Sequence, residues 1–202
     1  PIADQIALIE ERTGAKVKQY GQVFKLNPEV SDIADHYATL HRGVALLVLG
    51  AVQRGGGGCA CPESVLIRAL VTDLVLFRQD ALVMDMEAGV EHLGRGTARG
   101  VDLMLVVVEP GQRAVDCARR VARMCAEIGL TNLAYVGNKV ESAADEAFLR
   151  QALPAADLLG WIPQAETIRQ ADREARAVLD ACTPDLRARF EGILRRIEER
   201  LT

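Results

Sequence analysis

Short apolar runs rich in β-branched residues alternate along this chain with stretches of helical periodicity, and this alternation constrains the fold more than any other feature. The runs are almost continuous in apolar residues, which is typical of parallel strands buried on both faces. We predict strands at residues 45–50, 81–86, 102–108, 132–137 and 158–161. The order predicts an α/β protein with a mostly parallel, doubly wound sheet flanked by helices.

The stretches between these runs carry helix signals. We predict helices at 62–77, 112–128 and 143–153, with Pro62 suited to a first helical turn and Gly129 to a helix end. The last stretch, 184–201, has its apolar residues at helical spacing, so we expect it to lie along the sheet.

Composition limits the class of protein. The chain has 202 residues, half of them hydrophobic, and this size predicts one globular domain over 1–202. The net charge of −4 gives no basic surface for nucleic acid, and no apolar run reaches the roughly 18 residues of a membrane span. We expect a cytoplasmic protein with neither nucleic acid nor membrane as partner. The first residue is Pro1 rather than Met, so we also expect the domain to be truncated at its N-terminus.

A Cys-x-Cys pair is the candidate metal site. Cys59 and Cys61 follow the glycine run 55–58 and precede the predicted helix at Pro62. Glycines allow the bend that points both thiols at one ion, and a helix N-terminus favours thiolates. A soft divalent ion takes four ligands, which two copies of the pair on a two-fold axis would supply. Spacing alone leaves two alternatives open, a pair of buried apolar residues and a redox pair.

An acidic residue lies near the end of the second predicted strand. Asp85 in MDMEAG has the form of a Walker B carboxylate, which helps to hold hydrated Mg²⁺ beside nucleotide phosphates. Taken alone, such a residue also suits a cap for the next helix.

Polar residues follow the fourth and fifth predicted strands. Asn138 and Lys139 come after 132–137, at the edge where doubly wound sheets bind ligands. An amide there can read an adenine edge, because it donates and accepts together; the alternative for this pair is a simple turn. We predict a proline turn at Ile162, Pro163 and Gln164 that walls the base.

Four segments together resemble the CooC family of MinD/ParA-type P-loop ATPases, relatives of the nitrogenase iron protein. These segments are GGGGCACPES, ALVMDMEAGVEHLGRGTA, YVGNKV and GWIPQAETIRQAD, and the likeness runs from about residue 9 to 177. The resemblance implies a homodimer that closes around two ATP molecules, bound with Mg²⁺. It further implies that ATP hydrolysis gates the delivery of nickel to the carbon monoxide dehydrogenase apoenzyme.

The same resemblance implies roles for single residues. Zinc or nickel would be bound at the dimer interface by the C-x-C cysteines, the Walker B carboxylate would be Asp85, and a second switch would include Glu87 and 91–95. The residues implied at the nucleotide base are Asn138, Lys139, Ile162, Pro163 and Gln164.

The chain departs from the family at two places. The deviant Walker A loop with its two lysines is not found in these residues, and Cys59 follows the run 55–58 where a P-loop needs Gly-Lys. We therefore expect this chain alone to hydrolyse ATP poorly, although intact family members are ATPases. Gln164 and Ala165 also stand where the family has an aromatic and an acidic residue.

Two other functions stay open. A metal-bridged dimerisation module would use the C-x-C pair without ATPase activity. A positioning ATPase of the MinD/ParA kind would need a basic or membrane-binding tail, whereas residues 184–201 carry both signs of charge.

Overall fold

A computed structural model describes residues 1–17, 19, 21–50, 62–77, 81–86 and 101–202, with the side chains of 75–77 left out. The chain forms two compact units, Pro1–Asp85 and Met86–Thr202. None of the described helices is long and apolar enough to cross a membrane.

In the described part of the first unit, helices contribute more residues than strands. A 3₁₀ turn at Ile2–Asp4 comes first, and its elements are then α1 (Ile6–Thr13), α2 (Ile33–Tyr37), β1 (Thr39–His41), β2 (Val44–Leu46) and α3 (Pro62–Phe77). Helix α1 packs on α3. The helix predicted at 62–77 is confirmed as α3. Its first residue is Pro62, whose fixed φ angle suits the first turn of a helix. The buried core of this unit contains Ile2, Leu8, Ile9, Val30, Ile33, Leu66 and Leu70.

The strand predicted at 45–50 was wrong in its bounds and its pairing. The strand is Val44–Leu46, and it pairs antiparallel with β1. Arg42 and Gly43 connect the two strands with φ angles of 51° and 81°. Two left-handed residues in a two-residue loop make a tight hairpin, so the local turn rather than the apolar run decides the pairing.

The strand predicted at 81–86 was also wrong. These residues form neither helix nor strand, and Val83 is 89% exposed. An apolar run reports the tendency to be buried in a sheet, but it becomes a strand only when a neighbouring strand supplies hydrogen bonds.

The second unit contains the parallel sheet. Its order is β3-β4-β5, with both pairs of neighbours parallel. The elements are β3 (Met104–Val108), α4 (Gln112–Glu127), β4 (Leu133–Val140), α5 (Ala143–Ala152), β5 (Leu158–Pro163), α6 (Glu166–Arg173), α7 (Val178–Ala181) and α8 (Pro184–Leu201).

Helices cover both faces of this sheet. On one face, Val108, Tyr135 and Leu158 pack with Val115 of α4 and Leu149 of α5. On the other face, the buried cluster consists of Ala134, Val136, Leu159 and Ile193, the last from α8. The predicted α/β class with a parallel sheet flanked by helices is confirmed, as are the helices predicted at 112–128, 143–153 and 184–201.

Candidate functional site

The carboxyl ends of the three parallel strands lie side by side and bring polar residues from separate parts of the chain to one edge. Glu109 follows β3, Asn138 and Lys139 are near the end of β4, and Gln164 follows β5. Helices α4, α5 and α6 begin within four residues of these strand ends, so their N-termini lie at the same edge. Such an edge is the usual ligand site of open α/β sheets, because free N–H groups and helix dipoles favour anions there.

Strand β4 contains a β-bulge near its end. Tyr135 and Val140 lie in the same buried cluster although they are five positions apart, whereas a regular strand would place them on opposite faces. The pairing shows the extra residue, because Gly137 faces Trp161 and Val140 faces Pro163. Three steps along β4 therefore match two along β5, which is the definition of a bulge.

Lys139 occupies this bulge in a left-handed conformation, with φ of 54°. Such a backbone costs a non-glycine residue roughly 1–2 kcal/mol. Its Nζ lies 2.6 Å from Oε1 of Glu109, but both side chains are more than half exposed, so the ion pair contributes only about 0.2–1 kcal/mol. Burial of Val140, which is 5% exposed, contributes roughly 1.5–3 kcal/mol and is the larger stabilising effect.

Asn138 stands beside the bulge and is half-buried. Within the described part of the chain its side-chain amide makes no hydrogen bond, so its donor and acceptor groups are free for a ligand. Gln164 is the residue after β5, and its N–H donates to the carbonyl oxygen of Val140, the last residue of β4, at 3.0 Å. This hydrogen bond joins the ends of the two strands. The side-chain amide of Asn138 can therefore both donate a hydrogen bond to a purine base and accept one from it.

The proline turn predicted at 162–164 was wrong for its first two residues. Ile162 and Pro163 are the last residues of β5, and Pro163 faces Val140 of β4. Proline is tolerated there because the strand ends at it. The side chain of Ile162 packs with the cluster around Ile193, under α8.

Trp161 lies directly behind this edge. It precedes Pro163 by two residues on β5, and its ring stacks under the guanidinium of Arg150 at 4.5 Å from the ring centroid. Its Nε1 is buried and makes no hydrogen bond with the described residues. Because the chain has one tryptophan, its fluorescence reports on this edge alone.

The helix that follows β4 has a complete cap. The Ser142 hydroxyl accepts from the N–H of Asp145 at 3.2 Å, and the Asp145 carboxylate accepts from the N–H of Ser142 at 3.1 Å and of Glu141 at 2.9 Å. Helix α4, by contrast, begins after Gly111 without a side-chain cap. Reciprocal capping fixes the direction in which the chain leaves β4 and enters the helix.

The remaining predicted site residues belong to the first unit or fall outside the described residues. Asp85 is described and exposed, in the segment without regular structure. Cys59, Cys61 and Glu87 lie outside the described residues. Among the residues that are described, no three His, Cys, Asp or Glu side chains come together as a metal site.

Glu109 is the residue of this edge that sequence reasoning missed. It directly follows a predicted strand, as Asn138 does, so the rule that singled out Asn138 and Lys139 would have found it. The ion pair with Lys139 could not be predicted, because it depends on the bulge.

A parallel sheet with helices on both faces and polar residues at its carboxyl edge is the architecture of P-loop NTPase-like α/β proteins. No protein-family model matches the chain. It is similar to the "Carbon monoxide dehydrogenase accessory protein CooC" of Rhodospirillum rubrum, with 36% identity over 200 residues, which are 98% of this chain and 76% of that protein. An "Uncharacterized ATP-binding protein" of Methanocaldococcus jannaschii is 39% identical over 175 residues, 85% of this chain and 68% of that protein. The chain therefore belongs to the CooC family of carbon monoxide dehydrogenase accessory proteins.

Proposed function

We propose that this chain is an ATP-dependent metallochaperone switch, which inserts nickel during the maturation of carbon monoxide dehydrogenase. The observation that carries the proposal is the extent of the similarity to the CooC accessory protein, 98% of the chain. ATP binding is supported by the name of the second relative and by the polar carboxyl edge of the sheet. Nickel is the cargo in this function, and ATP the substrate.

In this proposal the second unit binds the base. The Asn138 amide accepts from the adenine amino group and donates to a ring nitrogen, while Pro163 and the backbone of Gln164 border the base. Lys139 stays at the rim, held by its ion pair with Glu109. Asp85 is the proposed Walker B carboxylate, for which an exposed position leaves both oxygens free to bind a hydrated Mg²⁺ ion.

Cys59 and Cys61 are the proposed ligands for nickel or zinc, shared across a homodimer. One described feature supports them: α3 is a 16-residue helix that begins at Pro62, directly after Cys61. The partial positive charge of a helix N-terminus stabilises thiolates, the form that binds metal. Two thiolates from each of two chains complete a four-coordinate site.

The test is to load the chain with Zn²⁺ or Ni²⁺ and to measure metal content together with molecular mass. We expect about half a metal ion per chain in a dimer, since four thiolates bind one ion. A Cys59→Ser, Cys61→Ser variant should lose both metal and dimer, and a Cys117→Ser, Cys182→Ser variant should keep both. A monomer without metal would contradict the cysteine assignment.

Nucleotide binding needs a separate experiment. Titration with ATP, followed by Trp161 fluorescence, should give saturable binding that Asn138→Ala weakens by roughly tenfold, the effect of losing hydrogen bonds to a base. Metal-bridged dimers that bind no nucleotide would instead favour the dimerisation module.

A further inference from the structure

The ion pair between Glu109 and Lys139 lies next to the amide proposed to read the base, and that function does not use Glu109. Lys139 directly follows Asn138, so the ammonium group belongs to the residue next to the amide. Oε1 of Glu109 is 2.6 Å from this ammonium group. The carboxylate comes from β3 and the lysine from β4, so the pair joins two neighbouring strand ends.

The two groups at the end of β4 differ in what they can recognise. An amide donates and accepts, whereas an ammonium group only donates. Adenine carries an amino group at its 6-position, and guanine and hypoxanthine carry a carbonyl oxygen there. A free ammonium group would therefore favour the 6-carbonyl purines, and an amide can pair with adenine.

We propose that Glu109 is a positioning residue that determines purine specificity. It holds the Lys139 ammonium group at the end of β3 and leaves Asn138 as the group that meets the base. Specificity is the difference between two affinities, so holding the ammonium group away from the 6-carbonyl purines favours adenine. This inference rests on the proposed nucleotide function of the same edge.

The test compares adenosine and inosine, which differ at the purine 6-position and at the adjacent ring nitrogen. Both nucleosides are neutral, so the change of net charge in a Glu109→Gln variant does not itself alter their binding. Binding to the 202-residue chain is followed by Trp161 fluorescence. The wild type should prefer adenosine, and Glu109→Gln should reduce that preference by about 1.5-fold to fivefold, because an exposed ion pair can withhold the lysine from the base by no more than its own small strength.

Two further variants separate specificity from stability. Asp116→Asn breaks an equally exposed pair on α4, where Oδ1 lies 3.5 Å from Nη1 of Arg119, and should leave the adenosine preference unchanged. A Glu109→Gln, Lys139→Gly double variant removes the released ammonium group and should restore the preference. Glycine adopts a φ of 54° without strain, so the bulge is retained.

The outcomes are distinct. If the wild type prefers adenosine and Glu109→Gln keeps that preference, the specificity role is wrong and the nucleotide proposal stands. If the wild type binds neither nucleoside, the assignment of this edge as the base-binding site is overturned together with the specificity role of Glu109.

Discussion

Trp161 of β5 stands opposite Gly137 of β4, and its Cβ lies 2.9 Å from the place where a Cβ on Gly137 would be. The Cδ1 atom of Leu149 in α5 is nearer still, at 2.7 Å from the same place. Real Cβ atoms do not approach so closely, so only glycine fits here. The close approach of α5 and Trp161 to β4 therefore depends on the absence of a side chain at position 137.

Gly137→Ala should lower the free energy of unfolding by roughly 1–3 kcal/mol, because the added methyl group displaces the indole and Leu149. The measurement is urea unfolding followed by Trp161 fluorescence. Gly192→Ala is the control: it lies inside α8 with nothing within 4 Å of its added Cβ, and it should raise stability by about 0.5–1 kcal/mol. Equal stability of Gly137→Ala and wild type would contradict the tight packing.

Arg200 attaches α8 to the sheet. Its guanidinium donates to the carbonyl oxygens of Leu133 at 3.0 Å and Ala156 at 2.8 Å, and to the Asp157 carboxylate at 2.6 Å. Arg200→Met should reduce the stability of the second unit by about 1.5–3 kcal/mol, because partly buried acceptors lose a charged donor. Chemical unfolding tests this.

Arg195→Met is the matched control for Arg200. Arg195 is exposed on the same helix and makes no hydrogen bond or ion pair with the described residues, so its replacement should change stability by less than about 0.5 kcal/mol. If the two variants lost the same amount of stability, the hydrogen bonds of Arg200 would contribute nothing, and α8 would be held to the sheet by its apolar face alone.

In the first unit, Arg12 and Asp32 form a two-pronged pair, with hydrogen bonds of 3.0 and 2.7 Å. These hydrogen bonds hold the pKa of the Asp32 carboxyl below its ordinary value of 3.8. The stabilisation is therefore present at pH values above 3.8 and is lost as the pH falls through the lowered pKa of the folded state. The stability difference between wild type and Asp32→Asn should shrink towards zero over that acidic range.

The Asp32 pKa itself can be measured by NMR titration. Arg12→Gln should move the titration midpoint upward, because the hydrogen bonds from Arg12 are the main cause of the lowered pKa of Asp32. Glu11→Gln should leave it almost unchanged, since the Glu11 side chain is 74% exposed and 3.9 Å from Nε of Arg12. A wild-type midpoint at or above 3.8 would show that the pair does not form in solution.

Cys125 is 1% exposed, and burial raises the pKa of its thiol. At neutral pH it should react with a thiol reagent only when the protein opens, because a buried neutral thiol is a poor nucleophile. Cys117, which is exposed on the same helix, should react at once. In a Cys59→Ser, Cys61→Ser, Cys182→Ser background, removal of Cys117 should abolish the fast phase, and rapid labelling of Cys125 would contradict its burial.

Local signals in the sequence were sufficient to predict the helices and the alternation of strands and helices in the second unit. Pro62 marks the start of α3, and the 3.6-residue spacing of Leu186, Phe190 and Ile193 predicts α8, because helix hydrogen bonds are formed within one segment. The positions of Asn138 and Lys139 at a strand end, and their place at the carboxyl edge, follow from the parallel βα order alone.

Strand bounds, the bulge and the ion pair were decided by tertiary structure. Residues 81–86 have the composition of a strand without forming one, and β4 continues past Gly137 through a polar pair that suggests a turn. A strand needs a partner that is remote in sequence. Burial of Val140 in the core stabilises the left-handed conformation of Lys139. In that conformation the ammonium group of Lys139 lies beside Glu109.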